Sequence, residues 1–311
     1  MTRINPLPLV SLLFVNLLCA LILTTTSSIA GAQGTSSVTS QTSSNASQTG
    51  QTPSSGIQAS MENPRNPLVL IDTSQGEIYI ELLPEAAPLN VQRFLDLAEA
   101  QLPVPGVNGG PDGPRNYYDG LTFHRVISNT LIQAGAPERA NRQRPAQTVP
   151  DEINARGLGL EQQSVLDASG KPHPWLNIGG ADDFKQTVLE PLYREMGIRN
   201  DNDLLTRQGD VLQRLQSLNL LQLHELMGYR YDGRLPSRRP GRGSVIMVNR
   251  GPGSNDGEFF IALDNTPWLT GTSTVIGRVA SGMPVVEQIS RNAAASTRIY
   301  RIRQTNRPSG E

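Results

Sequence analysis

Few residues in this chain have the type and spacing that chemistry requires. His124, His173 and His224 lie dozens of residues apart and show no ligand spacing, so no metal is expected. The only thiol, Cys19, sits in an apolar amino-terminal stretch; a mature form cut after it would hold no disulfide and no catalytic thiolate. Gly251 to Gly257 looks like a phosphate loop only superficially, because it lacks the lysine and the following helix; a turn is the better reading. Arg230, Arg234, Arg238, Arg239 and Arg242 cluster beside Tyr229 and Tyr231 and read as a solvated loop in preference to an anion or acidic-partner site. Arg125, set between Phe123-His124 and Gln133, is one of 25 arginines spread along the chain, and its type alone fits an exposed strand face as well as a site. A guanidinium is always protonated and carries several donors, so it can hold a carbonyl and stabilise localising electron density with no nucleophile or proton shuttle. His124, flanked by Phe123 and Val126, reads as a structural hydrogen-bonding group.

The elements that must position Arg125 begin well inside the chain. Residues 1 to 32 carry one charge, Arg3, then an apolar run from Leu7 to Leu23 and Ala30-Gly31-Ala32, the pattern of a cleaved secretory signal. The rival reading is a retained anchor, but Ser11 and Asn16 interrupt a run already short for a bilayer core about 30 Å thick. Export is therefore expected, to the periplasm or another extracytoplasmic compartment. From 33 to 60 the chain is mostly Ser, Thr, Gln, Gly and Ala, which cannot bury enough surface to offset ordering entropy; a disordered linker is expected. Residues 61 to 311 then form the folded domain. With 27 Lys+Arg against 28 Asp+Glu, the chain has no electrostatic reason to bind nucleic acid or acidic lipid.

Leu68 to Asp72 and the alternating Ile78, Ile80 and Leu82 predict a strand pair around a Ser74-Gln75-Gly76 turn. Pro88 opens a helix with Val91, Phe94, Leu95 and Ala98 on one face. Residues 103 to 116 are rich in Pro and Gly and read as a loop. Strand patterns follow at Leu121 to Ile127, Leu131 to Ala134, Ser244 to Val248, Phe259 to Leu263, Val275 to Val279 and around Tyr300 and Ile302, with a short helix from Pro284 to Arg291. Alternation sends one of Phe259 and Phe260 inward and the other outward. Many short strands and two helices suggest a mainly β fold closed into a barrel. Between the strand-rich halves, residues 182 to 228 have helical texture, with Val211, Leu212, Leu215 and Leu218 at helical spacing.

The run Tyr118-Asp119-Gly120-Leu121-Thr122-Phe123-His124-Arg125-Val126-Ile127 strongly resembles the cyclophilin family of peptidyl-prolyl cis-trans isomerases. So do Gly243 to Pro252, Gly257-Glu258-Phe259-Phe260-Ile261, Trp268-Leu269 and Ile276-Gly277-Arg278-Val279. The resemblance covers about 68 to 136 and 240 to 304. It implies a closed eight-stranded antiparallel barrel capped by two helices, an outer proline-binding groove and no cofactor. By the same resemblance Arg125 is the catalytic arginine and Gln133 its companion. Leu131, Phe260 and Leu269 form the proline pocket, Asn249 next to Val248 supplies backbone contacts, and Trp268 matches the tryptophan that helps bind cyclosporin in many members. The implied substrates are proline-containing unfolded or extended polypeptides, with cyclosporin as a candidate ligand. The alternative is a noncatalytic proline-peptide binding or chaperone module.

The chemistry also follows from elementary considerations. An X-Pro bond interconverts over tens to hundreds of seconds because a barrier of roughly 18–20 kcal/mol protects amide resonance. Raising turnover to about 10² to 10³ per second asks for on the order of 6–8 kcal/mol of differential stabilisation.

Three groove positions depart from the family pattern: Thr130 replaces the usual pocket aromatic, Glu258 the usual glutamine, and Ser273 a histidine common in eukaryotic members. Glu258 is expected to ion-pair with Arg125 and compete with the substrate carbonyl. The long stretch between Gln133 and Met247 is expected to hold a helical insertion at about 155–235, a lid or docking unit for an unknown partner beside the groove.

Overall fold

The computed structural model describes residues 53–99, 116–137, 143–292 and 296–305. The signal pattern of 1–32, Cys19, the linker as far as residue 52 and the Pro/Gly-rich loop before Asn116 lie outside these residues.

Eight antiparallel strands form one sheet: β1 (Leu68–Thr73), β2 (Gly76–Leu82), β3 (Arg125–Ile127), β4 (Leu131–Ala134), β5 (Ser244–Met247), β6 (Phe259–Ala262), β7 (Val275–Ser281) and β8 (Ile299–Gln304). They run in the order β3-β4-β6-β5-β7-β2-β1-β8. The predicted strands are all present, but the sheet is open where a closed barrel was expected. The physical reason lies at the seam. The strand pattern over Leu121 to Ile127 becomes a ladder only from Arg125, because the residues before it run alongside β8 through a single bridge, Thr122 to Arg298. Hydrogen bonds from the Gly120 and Phe123 amides to the Ile299 and Thr297 carbonyls stitch the two edges without a full ladder.

Alternation divides the side chains between two faces. The inner face gathers Val69, Ile71, Ile78, Ile80, Ile132, Val245, Phe259, Ile261 and Ile302. Phe259 meets Phe94 edge-on at 5.3 Å, and Phe94 also contacts Tyr118 at 5.2 Å. Phe94 comes from α2 (Pro88–Ala98), which packs on β8; α8 (Met283–Arg291) packs on β2, β3 and β4. The first turn of α2 leaves amides unpaired by the helix itself. The Glu152 carboxylate accepts from the Leu89 and Asn90 amides at 3.0 and 2.8 Å, tying the 150–153 loop to that helix.

The folded part starts earlier than residue 61. Pro53–Gln58 form a short helix, α1, and Ile57 packs against Met61, Leu68, Leu70 and Tyr79. Arg278 donates to the Ser60 carbonyl and to the fully buried carboxylate of Glu81, which also accepts from the Glu62 and Asn63 amides. The linker expected over 33–60 thus overlaps α1 at its end.

Within 155–235 the helices occupy a narrower span: α3 (Ala181–Phe184), a π turn (Lys185–Leu189), α4 (Glu190–Met196), α5 (Asp201–Thr206), α6 (Gln208–Ser217) and α7 (Leu220–Leu226). Residues 155–180 form turns, as Gly157, Gly159, Gly170, Pro172 and Pro174 require. The helices have their own apolar core, in which Phe184, Leu192, Val211, Leu215, Leu218 and Leu223 are buried. Leu212, grouped with them by spacing, is exposed. The face of α7 that carries Leu220 and Leu223 closes this core, while buried His224 touches the barrel loop at Gly271.

Candidate active site

Antiparallel register places the site. Arg125 faces Gln133 across β3 and β4, Gln133 faces Phe260 across β4 and β6, and Phe260 faces Ile246 across β6 and β5. Directly opposed residues share a face, so one row on the outside of the sheet carries a cation, an amide and two apolar side chains. The neighbouring row adds Leu131 opposite Ala262. Leu131, Ile246, Phe260, Ala262 and Val275 form a separate outer cluster, against which Val248 and Leu269 pack.

Above this cluster is a cavity of about 430 Å³. Arg125, Gln133, Thr130, Leu131, Val248, Asn249, Phe260, Trp268 and Leu269 all line it, so nine of the ten residues singled out from the sequence converge there. The tenth, Glu258, lies behind the wall they form. Sequence reasoning named Ser273 as a departure, and it lines the cavity too; it did not find Thr272, Ile127, Met247 or Asn177.

Arg125 is exposed, and its Nη1 donates to Gln133 Oε1 at 3.3 Å. It makes no ion pair among the described residues, which leaves its remaining donors for a ligand. Asn249 is occupied through its side chain: Nδ2 donates to the Thr272 carbonyl at 2.7 Å and to Asp151 at 3.3 Å. Its backbone N–H and C=O make no hydrogen bond among the described residues, which suits them to an extended chain.

Glu258 corrects one expectation. It does not pair with Arg125. Its buried carboxylate accepts from Gln133 Nε2 at 2.7 Å and His124 Nε2 at 2.9 Å, and from Arg144 at 2.9 Å and Arg250 at 2.8 Å. Both arginines also pair with Asp256. Burial alone would raise the Glu258 carboxyl, but the bonds from His124, Gln133 and Arg144 outweigh it and bring the pKa down to about 2. An ionised carboxylate only accepts, so it fixes the Gln133 amide with its NH₂ toward Glu258 and its oxygen toward Arg125. Glu258 thus holds the Gln133 amide, and through it stands one residue away from the Arg125 guanidinium in place of pairing with it. Arg250 was visible beside Asn249 in the motif. Arg144 had no such signal, lying over a hundred residues from its carboxylate partners.

The far wall, Trp268 to Ser273, is braced by the helical region. Tyr231 donates its hydroxyl to the Gly271 carbonyl at 2.8 Å, and the Pro174–Leu176 turn packs on the Pro267–Leu269 turn. Gly271 has φ +91°, and a methyl there would overlap the Leu160 side chain and crowd the imidazole of His224. Gly271→Ala is therefore expected to cost about 2–4 kcal/mol, a sum of left-handed strain and overpacking. Urea unfolding checks the loss; a midpoint equal to wild type would show that the wall is not braced in this way.

The family profile described as cyclophilin type peptidyl-prolyl cis-trans isomerase/CLD matches residues 68–307. Peptidyl-prolyl cis-trans isomerase-like 1 of Rhizopus delemar is 26% identical over 71% of this chain and 78% of its own length. Peptidyl-prolyl cis-trans isomerase B of Streptomyces anulatus is 26% identical over 71% of this chain and 81% of its own. A crystal structure of a Cryptosporidium parvum cyclophilin type isomerase, in the presence of the dipeptide Ala-Pro, covers 77% of this chain at 16% identity with a TM-score of 0.42. With its profile spanning well over half the sequence, the chain belongs to the cyclophilin-type peptidyl-prolyl cis-trans isomerases.

Proposed function

We propose that the outer groove binds an extended X-Pro segment and that Arg125 catalyses rotation about the imide bond. The observation that carries this reading is the cross-strand row Arg125, Gln133, Phe260, which sets an uncommitted guanidinium beside an apolar pocket. The proline ring occupies the notch of Leu131, Phe260 and Leu269, while the backbone of Asn249 holds the preceding residues. As the bond twists, resonance is lost and the lone pair localises on the prolyl nitrogen. A fixed guanidinium donor stabilises that state more than the planar one, and this difference is what lowers the barrier. Gln133, anchored by Glu258, keeps the guanidinium in place.

The amino-terminal pattern supports an exported enzyme, periplasmic or otherwise extracytoplasmic, acting on unfolded or extended exported chains. The helical region at about 155–235 is read as an insertion beside the groove, offering its outer surface to an unknown partner. Trp268, lining the groove, supports cyclosporin as a ligand.

A protease-coupled assay with Suc-Ala-Ala-Pro-Phe-p-nitroanilide tests the function. Acceleration that scales with protein concentration is expected. A rate held at the thermal background, with the peptide still bound, would leave the noncatalytic binding module. The groove also predicts a gain. Thr130 leaves one side of the cavity without an aromatic wall, so Thr130→Phe should tighten peptide binding about 5- to 10-fold by restoring apolar contact with the ring. A titration followed by Trp268 fluorescence reads this; weaker binding by the variant would mean the ring sits elsewhere.

A further inference from the structure

The helical region does more than brace the groove, because one of its residues enters the cavity. Asn177 lines the same space as Arg125, Phe260 and Leu269, although it belongs to the segment that precedes α3. It caps the 3₁₀ turn Pro174–Leu176, and that turn packs on the 3₁₀ turn Pro267–Leu269 of the groove wall. The two turns carry the same tripeptide, Pro-Trp-Leu, so matching units from the helical region and the sheet's own loops meet at the rim.

Asn177 is held in one conformation. Its backbone is left-handed, at φ 49° and ψ 42°, a region asparagine tolerates better than most residues. The turn before it is locked at Trp175, whose amide donates to His173 Nδ1 at 3.2 Å. The His173 ring meets the Trp175 ring edge-on at 5.2 Å, and the Arg239 guanidinium lies 5.4 Å from the centre of the indole. The His173 amide in turn donates to the Val165 carbonyl at 2.8 Å.

The side-chain amide of Asn177 makes no hydrogen bond among the described residues, and the residue is exposed. A primary amide offers two donors and a carbonyl acceptor, which matches a peptide group, itself one donor and one acceptor. The Trp268 indole N–H and the Thr272 and Ser273 hydroxyls line the same cavity, and the Asn177 amide adds a donor and an acceptor contributed by the helical region.

We propose that Asn177 is a specificity-determining residue that hydrogen-bonds the backbone of the substrate chain flanking the proline. It makes the enzyme favour peptides that extend beyond the X-Pro unit. This rests on the groove being the isomerase site. It assigns the helical region a direct part in substrate recognition, through a rigid turn that carries one unpaired amide into the cavity.

Asn177→Gly tests it, because glycine keeps the left-handed backbone and removes only the amide. Kinetics are compared on Suc-Ala-Ala-Pro-Phe-p-nitroanilide and, by NMR exchange, on the minimal acetyl-Ala-Pro-N-methylamide. KM for the long peptide should rise about 5-fold, the size of one hydrogen bond, with kcat within twofold. The minimal peptide should show no change, and the thermal midpoint should hold. Asn177→Asp, which keeps the acceptor alone, should fall between. An unchanged KM for the long peptide overturns the proposal, as does an equal loss on both peptides or a fall in kcat, either of which marks a structural role. If wild-type protein accelerates neither peptide, the isomerase reading itself fails and this proposal with it.

Discussion

Glu258→Ala should lower the thermal midpoint by roughly 4–16 °C, a stability loss as large as that expected of Gly271→Ala. The carboxylate is buried and takes bonds from Gln133, His124, Arg144 and Arg250. Removing it leaves two guanidinium groups with Asp256 as their shared acceptor and strands the Gln133 amide. Breaking a fully buried pair costs about 3–5 kcal/mol, and the half-exposed Arg250 reduces this through solvent screening to about 2–4 kcal/mol. For a domain of this size each kcal/mol moves the midpoint by about 2–4 °C.

The same carboxylate predicts a pH dependence of definite sign. Its folded pKa, about 2, lies below the ordinary value of 4.5, so the unfolded chain takes up the proton first as pH falls. The stabilisation is complete above about pH 5 and is lost progressively between pH 5 and 2; its size is about 3 kcal/mol. Glu258→Gln should cost less than alanine at pH 7 and should flatten this part of the profile. Subtracting the variant's urea-unfolding curve from that of wild type over pH 2 to 7 isolates the contribution. Parallel profiles would mean that the carboxylate does not hold the network.

Arg125→Ala should reduce kcat/KM by about 10²- to 10³-fold while leaving stability close to wild type. The catalytic figure is the usual cost of removing one preorganised donor from developing charge, about 2.7–4 kcal/mol. It supplies roughly half of the 6–8 kcal/mol the reaction needs; the rest is assigned to ring burial, orientation and desolvation. The stability figure follows from exposure, since among the described residues Arg125 makes only one side-chain hydrogen bond, to Gln133. The protease-coupled assay measures the first and thermal unfolding the second. A loss below tenfold would remove Arg125 from the mechanism.

The strands were legible because alternation survives in short segments. Ile78, Ile80 and Leu82 announce a strand, read as half-buried although Tyr79 and Glu81 on its other face are buried as well, and the Phe259-Phe260 pair divides between two clusters as a period of two requires. The groove residues were legible because they sit in contiguous motifs on strands or at their ends. Other features depend on contacts that sequence distance hides. Arg144 reaches Glu258 from a loop with no periodicity, and Asn177 reaches the groove only because two distant turns pack together. The open seam depends on where hydrogen bonding between Leu121 and Ile127 passes from β8 to β4, a matter of register that composition does not record. Glu258 shows the same limit: the sequence placed a carboxylate near the arginine, while the structure interposes Gln133 between them.

The most direct test is the rate of isomerisation inside the bound complex, measured by two-dimensional NMR exchange on an Ala-Pro peptide at equal saturation of wild type and Arg125→Ala. Exchange on the wild-type protein should be fast, and in the variant should fall by at least a hundredfold at a Kd within a few-fold of wild type. Equal exchange rates at equal occupancy would show that the guanidinium binds without catalysing, and the account would be wrong at its centre.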